Sequence, residues 1–293
     1  MTNEAERHAV DHSGRGEMQR LAKVMAGRGI CSRRTADRLI AEGLVLVDGE
    51  SVPPNGRLVL PDAEITVLPE GQAQLDAQLT IMLHKPVGVV SNLALPGQKE
   101  AADLLVPENM ANPDDPLNHK HQQQINNNVS SFHVAGRLDY ESSGMLILTQ
   151  DGVIARALTG ADHNIQKEYI VRVISPDRDD ISQAQLRDLN RPIRDAGETL
   201  RALQVDRLGE GKLRFILNEG RKHHVRRMCA AVDLQVVTLK RVRIGELRLG
   251  NLKPSRWRFL DRKDIELLVS GEQRGRTRRH KNTRRRRTGN NQR

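Results

Sequence analysis

Apolar residues between positions 18 and 75 predict a small unit of two helices followed by strands. The helical positions are Leu21, Val24 and Met25 in the first helix and Ala36, Leu39 and Ile40 in the second. Ser32 is a favourable N-cap for the second helix, and Gly43 is a suitable residue to end it. Apolar runs at residues 44–47 and 64–67 then predict two strands, the first leading into a tight turn at Asp-Gly.

A larger domain, predicted from residue 79 to 265, has a mainly strand-like pattern. Its strand-length apolar runs lie at residues 81–83, 87–90, 145–148, 169–174, 200–205, 213–217, 236–239 and 257–260. Helical patterns are fewer, at residues 181–189 and 224–232. Many strands with few helices predict an α+β domain on a mixed, largely antiparallel sheet.

Three polar segments carry no periodicity that would bury a core. Residues 1–17 are predicted to be a flexible leader, residues 107–131 an Asn/Gln-rich mobile loop, and residues 266–293 a disordered basic tail. From position 274 onward the tail holds nine arginines and one lysine but no acid, which equals the whole net charge of +10. Such a tail favours contact with nucleic-acid phosphates; the alternative is a solubilising extension.

Composition excludes several classes of protein. No run of eighteen apolar residues exists, and the polar N-terminus lacks the apolar core of a secretory signal. The two cysteines, Cys31 and Cys229, are too far apart in sequence for a metal-type spacing, and two cysteines make no disulfide framework. The histidines join no set with ligand spacing, so no metal is expected. We therefore expect a cytoplasmic protein without membrane contact, and a monomer.

Basic side chains of the first unit are candidates for RNA contact. They are Arg28, Arg33, Arg34 and Arg38. A solvated helix face is the ordinary alternative for such charges. The stretch RLAKVMAGRGICSRRTADRLIAEGLVLVDGE resembles the alpha-L RNA-binding motif, of the type found in small-subunit ribosomal protein four. The resemblance implies a two-helix platform that presents basic side chains to structured RNA.

Four blocks of the larger domain carry candidate chemistry: LHKPVGVVSN, GRLDYESSGMLILTQDG, KEYIVRV and LNEGRKHHVRRMCAAV. Each alone has an ordinary interpretation. The sequence around Asp139 can be a surface turn, Tyr169 a packed strand residue, Lys85 part of a strand-end turn, and the arginines of the last block a phosphate-binding helix start. A buried strand directly behind Asp139 suits a carboxylate that must be held rigidly.

Together, and behind an alpha-L motif, the four blocks resemble the RsuA/RluB/RluE/RluF branch of pseudouridine synthases over residues 18–262. ADHNIQKEYIV and RRMC are nearest to the RluF type. The resemblance implies isomerisation of a uridine in ribosomal RNA to pseudouridine, without a cofactor. We expect the large-subunit (23S) RNA to be the substrate.

The resemblance also implies roles for individual residues. Asp139 is the catalytic carboxylate, either as a covalent nucleophile or as a stabiliser of a sugar cation. Arg226 is its predicted cationic partner, with Arg227 and Arg221 as substitutes. Tyr169 is predicted to stack under the uracil and to serve as an acid or base. Lys85 and Arg137 are predicted RNA contacts, with a loop salt bridge as the alternative for Arg137. Family members usually have Gln where this chain has His224.

Two other classes of function are compatible with these residues. The chain could be a ribosome assembly factor that uses the same fold as an RNA clamp, or a structural ribosome-associated protein. Neither role requires a carboxylate that faces an anionic ligand, so Asp139, Tyr169 and Arg226 favour the enzyme.

Overall fold

The computed structural model describes residues 17–113, 121, 125, 129–160, 164–176 and 180–270. The predicted leader and basic tail lie outside these residues, except for the tail's first positions, and so does much of the predicted 107–131 loop. The chain divides into two compact units after Leu79, with Asp151–Val153 grouped with the first. Among the described residues, no helix combines the length and the apolar character that a membrane span requires.

The first unit packs three short helices with short strands. The helices are α1 Leu21–Gly27, α2 Arg33–Ala41 and α3 Pro69–Asp76. The strands are β1 Gln19–Arg20, β2 Val45–Val47, β3 Glu50–Ser51, β4 Leu58–Val59 and β5 Ile65–Val67. Ser32 caps α2, as predicted, because its hydroxyl accepts a hydrogen bond from the Thr35 amide at 3.1 Å. Apolar faces of α1 and α2 bury their side chains against β2 and β4.

The second unit is built on a large sheet. Its strands are β6 Thr80–Lys85, β7 His133–Ala135, β8 Ser143–Thr149, β9 Lys167–Ile174, β10 Ile193–Asp195, β11 Glu198–Leu200, β12 Gln204–Gly209, β13 Lys212–Leu217, β14 Gln235–Ile244, β15 Leu247–Arg248 and β16 Trp257–Phe259. The helices are α4 Gly152–Thr159, α5 Gln183–Leu189, α6 His224–Ala230 and α7 Arg262–Val269. Short 3₁₀ helices cover Ala101–Leu104, Pro107–Asn109 and Val129–Ser131.

Nine strands of the described residues form one sheet in the order β12-β13-β9-β14-β8-β6-β16, with β15 beside β14 and β7 beside β8. The β14–β8 pairing is parallel and the other pairings are antiparallel. The predicted mixed, largely antiparallel sheet is therefore confirmed. Apolar side chains of β6 and β8 pack against α4 and α7, and they form the core behind the centre of the sheet.

Three predicted elements need correction. Residues 87–90 form no strand beyond a single bridge from Val90 to Glu100, because the chain turns directly after Pro86. The run at residues 200–205 is split between β11 and β12. Helix α7 extends to Val269, so its last residues belong to the folded unit although the sequence pattern assigned them to the tail.

Candidate active site

Asp139 lies on the loop that joins β7 to β8, and a buried arginine holds both ends of this loop. Arg241, on β14, donates from Nη2 to the Gly136 carbonyl at 2.8 Å and from Nε to the Met145 carbonyl at 2.8 Å. β14 runs beside β8, so the guanidinium can reach both carbonyls. The side chain of Arg241 is almost fully buried. The loop backbone is thereby fixed to the centre of the sheet.

The residues on either side of Asp139 are held by a second segment. The buried Ser91 hydroxyl donates to the Leu138 carbonyl at 2.6 Å and accepts from the Leu138 amide at 2.9 Å. The Gly88 amide donates to the Tyr140 carbonyl at 3.0 Å. These bonds leave the Asp139 backbone little freedom, which is what a positioned carboxylate requires.

The side chain of His223 lies near Asp139, and the predicted partner Arg226 points elsewhere. His223 Nε2 lies 3.7 Å from Asp139 Oδ1. Arg226 forms its ion pair with Glu141, with Nη1 at 3.3 Å from Oε2, and Nη2 donates to the Glu141 carbonyl at 3.0 Å. The predicted Asp139–Arg226 pair is therefore wrong in this structure, because the carboxylate of Glu141, two residues further along, occupies the guanidinium.

Two buried lysines lie in this part of the sheet, and one of them, Lys85, interacts electrostatically with Asp139. Burial lowers the pKa of Lys85 to about 8, while the charge of Asp139 raises it and that of Arg241 lowers it. Burial and the charge of Arg241 likewise lower the pKa of Lys167 to about 8. Both lysines remain mostly protonated at neutral pH, and the Lys85 charge lies close enough to Asp139 for the two groups to interact.

A cleft of about 860 Å³ brings the predicted catalytic residues together. Asp139, Tyr169 and Arg226 all line it, and so do the predicted RNA contacts Arg137 and Arg221. Asp139 is the only acidic residue among the described residues that line this cleft. Tyr169, on β9, keeps 8% of its surface exposed. Its ring is part of the packed wall and still borders the cleft.

Two predicted RNA contacts are bonded to groups of the protein in this structure. Lys85 is fully buried, and its ammonium donates to the carbonyls of Pro86 at 2.8 Å and Val89 at 2.7 Å. These bonds shape the loop after β6, and the phosphate contact of Lys85 stays a prediction. Arg227 is bound to Asp195 and, at 2.6 Å, to Glu198, and it does not line the cleft.

The remaining predicted RNA contacts are accessible. Arg137 is exposed at the cleft. Arg221 lines it as well, but also forms ion pairs with Glu198 at 3.2 Å and Glu219 at 3.5 Å. In the first unit all four predicted arginines are exposed: Arg28, Arg33, Arg34 and Arg38.

Several residues of the cleft were not predicted. The roles of Lys167 and Arg241 depend on burial and on strand pairing, which the sequence pattern does not reveal. His224 is only 4% exposed, and neither ring nitrogen has a hydrogen-bond partner among the described residues. Burial lowers its pKa, so the ring is neutral at pH 7. The double histidine in the HHVRR block was visible in the sequence, but its unpaired state was not.

Unpaired buried polar atoms concentrate in this cleft. Seven such side-chain atoms occur in the described residues, and five of them belong to cleft residues: Asn92 Oδ1, Ser142 Oγ, both ring nitrogens of His224 and Arg226 Nε. Buried polar groups are normally hydrogen-bonded. Their concentration here indicates a site whose remaining partners come from a ligand.

Comparisons with known proteins show the family of this chain. The family model described as RNA pseudouridylate synthase matches residues 79–231, and an S4 domain model matches residues 19–65. An "Uncharacterized RNA pseudouridine synthase" of Aquifex aeolicus is 32% identical, over 85% of this chain and 95% of that protein. "Ribosomal small subunit pseudouridine synthase A" of Escherichia coli is 30% identical, over 85% of this chain and all of that protein. A solved structure described as a pseudouridylate synthase covers 85% of this chain and 99% of its own, with 26% identity and a TM-score of 0.55.

The chain is thus an RNA-modifying enzyme with an N-terminal S4 domain. It belongs to the RNA pseudouridylate synthase family, whose members isomerise uridine in RNA to pseudouridine.

Proposed function

We propose that the chain modifies a uridine of ribosomal RNA and that Asp139 is the catalytic carboxylate. The observation that carries this proposal is the charge arrangement of the cleft. Among the described residues, Asp139 is the single acid that lines the cleft, and bonds to both of its neighbours hold it. Lys85 interacts with it electrostatically, and Lys167 and Arg241 line the same cleft. The basic residues of the cleft also favour the entry of an anionic polymer.

The reaction breaks the bond between N1 and the sugar carbon C1′ and forms a bond from C5 to C1′. C5 loses a proton and N1 gains one, so atoms balance without an oxidant or a second substrate. Asp139 either attacks the sugar or the base covalently, or stabilises a sugar cation; both roles need an ionised, fixed carboxylate. Tyr169 supplies the ring under the uracil, and its hydroxyl takes part in proton transfer at C5. Arg226, which lines the cleft, contacts the bound nucleotide.

RNA binding is proposed to extend beyond the cleft. Exposed arginines on α2 and before it contact structured RNA, and Arg137 contacts RNA at the cleft. Extrusion of the target base from a stack costs a few kcal/mol, which these contacts offset. We further propose that the protein acts as a monomer in the cytoplasm.

The resemblance of the sequence favours large-subunit RNA as the substrate. One relative at 30% identity is named for the small subunit, which supports small-subunit RNA as the alternative. Both RNAs therefore belong in the experiment.

The test uses unmodified large- and small-subunit ribosomal RNA transcripts incubated with the purified protein, followed by mapping of pseudouridine. Asp139→Asn is the matched control, because it keeps the shape of the side chain and removes its charge and nucleophilicity. Wild type should form pseudouridine at a defined position, with the large-subunit RNA preferred. Asp139→Asn should lose at least about a thousandfold in rate while binding RNA normally. Conversion by Asp139→Asn above a few per cent of the wild-type rate would refute the assignment of the carboxylate.

A further inference from the structure

Two exposed leucines lie on the loop that follows β6, here called the rim loop, residues 91–98. Leu93 is 81% exposed and Leu95 67% exposed, and both line the cleft that contains Asp139. Leu93 also has a left-handed backbone, with φ of +58°. That conformation is unfavourable for a residue with a bulky side chain. Leu93 is neither buried nor favoured by its backbone conformation, so a function of the exposed side chain must account for a leucine at this position.

The rim loop is held in place by its own hydrogen bonds. At its base, the Val90 amide donates to the Lys99 carbonyl at 3.0 Å, and the Ala101 amide donates to the Val90 carbonyl at 2.9 Å. At its tip, the Gln98 amide donates to the Leu95 carbonyl at 2.9 Å. The leucines are therefore presented by an ordered backbone, which lowers the entropic cost of using them in binding.

Ser91 connects the rim loop to the loop between β7 and β8, which carries Asp139. Its hydroxyl makes the two bonds to Leu138 described above, directly beside Asp139. The leucines and the carboxylate are thus parts of one hydrogen-bonded assembly, and a group bound at the rim has a defined distance from the reacting centre.

The chemistry of the rim defines its occupant. Asn92, next to Leu93 in the chain, also lines the cleft, and its buried Oδ1 has no hydrogen-bond partner among the described residues. An occupant with an N–H donor beside an apolar surface therefore matches this rim. Exposed Arg137 and Lys222 border the same cleft and match phosphate groups, which favours a nucleic acid over an apolar peptide. The volume of the cleft, about 860 Å³, lies in the upper part of the range of about 300–1,000 Å³ that is usual for ligand pockets.

We propose that Asn92, Leu93 and Leu95 form a subsite for an unstacked nucleobase next to the target uridine, a proposal that rests on the function proposed above. The leucines contact the face of the base, and Asn92 accepts a hydrogen bond from its edge. The rim thereby contributes to the choice of sequence around the modified position.

The experiment uses a single-stranded RNA oligonucleotide that spans the mapped uridine, and derivatives with an abasic residue at each neighbouring position. The test variant is Leu93→Ser/Leu95→Ser, and Asn92→Ala removes the acceptor. The matched control is Leu203→Ser/Leu208→Ser, since these leucines are 48% and 47% exposed and do not line the cleft. Circular dichroism verifies the fold of every variant.

Wild type should lose about tenfold in kcat/KM when one particular neighbour is abasic, a size typical of base stacking on a side chain. On intact RNA, the Leu93→Ser/Leu95→Ser rim variant should have a kcat/KM about tenfold below that of wild type. On the abasic RNA its kcat/KM should fall no further, because both changes remove the same contact. The slope of log affinity against log salt should stay unchanged, since apolar contacts release no counterions. Asn92→Ala should reproduce part of the loss.

Equal activity of the rim variant and the Leu203→Ser/Leu208→Ser control would overturn the subsite, as would losses that simply add on abasic RNA. Absence of pseudouridine with wild type would refute the proposed function instead. In that case binding of a fluorescent mixed-sequence RNA decamer still tests the rim: affinity should fall about tenfold in the rim variant relative to the control, and equal affinities would refute it.

Discussion

At the scale of single residues, Tyr169 combines two environments, because its ring packs in the wall of the sheet and borders the cleft. We predict that Tyr169→Phe keeps RNA affinity but lowers kcat by about a hundredfold, since it removes only the proton-transferring hydroxyl. Tyr169→Ala should also weaken RNA binding, because stacking contributes about 1–3 kcal/mol. Single-turnover rates and filter binding separate the two effects. Near-normal rates for both variants would show that Tyr169 is only a core residue.

His224 gives stability a dependence on pH. Burial lowers its folded pKa below the unfolded value of 6.5, and burial lowers the pKa of His84 as well. The unfolded chain therefore binds protons that the folded chain does not bind. The free energy of unfolding keeps its full value above about pH 6.5, and it decreases as the pH falls from there towards the folded pKa.

We predict that the free energy of unfolding falls between pH 7.5 and 5.5, and that His224→Gln reduces this fall because glutamine does not ionise. Urea unfolding at both pH values measures the effect. The exposed His133, changed to Gln, is the matched control and should leave the fall unaltered. An identical pH dependence in wild type and His224→Gln would contradict the prediction.

The sequence predicted which residues share the cleft better than it predicted their partners. Asp139 and Tyr169 are brought together because each belongs to a motif at a strand of the same sheet. Lys85 was predicted to contact RNA, yet it is buried and bonds to its own loop. Arg226 meets Glu141 because of how α6 packs on the sheet, and sequence spacing contains no such information.

At the scale of elements, the sequence pattern correctly predicted the features that depend on local backbone preferences. Ser32 caps its helix, and the buried runs at β8 and β13 are strands, as their apolar patterns predict. The helix α4 was missed because its start, Asp-Gly, is typical of a turn. β14 is longer than its apolar run because alternating basic residues, including Arg241, take part in the same strand.

The parallel contact of β14 with β8 depends on Gly144. Its φ is +112°, and a Cβ atom there would lie 2.2 Å from the Arg241 carbonyl oxygen. We predict that Gly144→Ala destabilises the protein by about 3 kcal/mol or more, because two backbone segments must separate. Gly197→Ala is the matched control, since its φ is +79° but the space around it is open. It should cost only about 1–2 kcal/mol of backbone strain.

Thermal or urea unfolding of both glycine variants measures this difference. A loss for Gly144→Ala no larger than that for Gly197→Ala would mean that the close approach of β14 and β8 adds nothing beyond backbone strain.

At the scale of the whole molecule, net charge is concentrated at one end. Residues beyond position 273 contain ten basic side chains and no acid, and they lie outside the described part of the structure. We predict that deletion of residues 274–293 weakens RNA binding. It should also reduce the slope of log affinity against log salt, by the amount that corresponds to the loss of about three to six phosphate contacts. The saturated single-turnover rate should stay almost unchanged, because none of the cleft residues is removed.

A version of the tail with its arginines and lysine replaced by glutamine separates charge from length, and it should behave like the deletion. Identical salt slopes for full-length and deleted protein would show that the tail does not contact RNA. A collapsed saturated rate would show that it acts at the cleft.

The hydrogen bonds from Arg241 to the Gly136 and Met145 carbonyls can form only late in the synthesis of the chain. Gly136 and Met145 leave the ribosome about a hundred residues before Arg241, and until then their carbonyls lack this partner. A nascent or prematurely terminated chain that ends before β14 contains the S4 domain and Asp139, but it has no complete cleft. We expect such a chain to bind RNA through its S4 domain without modifying it, which RNA-binding and pseudouridine assays on a chain that ends at residue 234 would check.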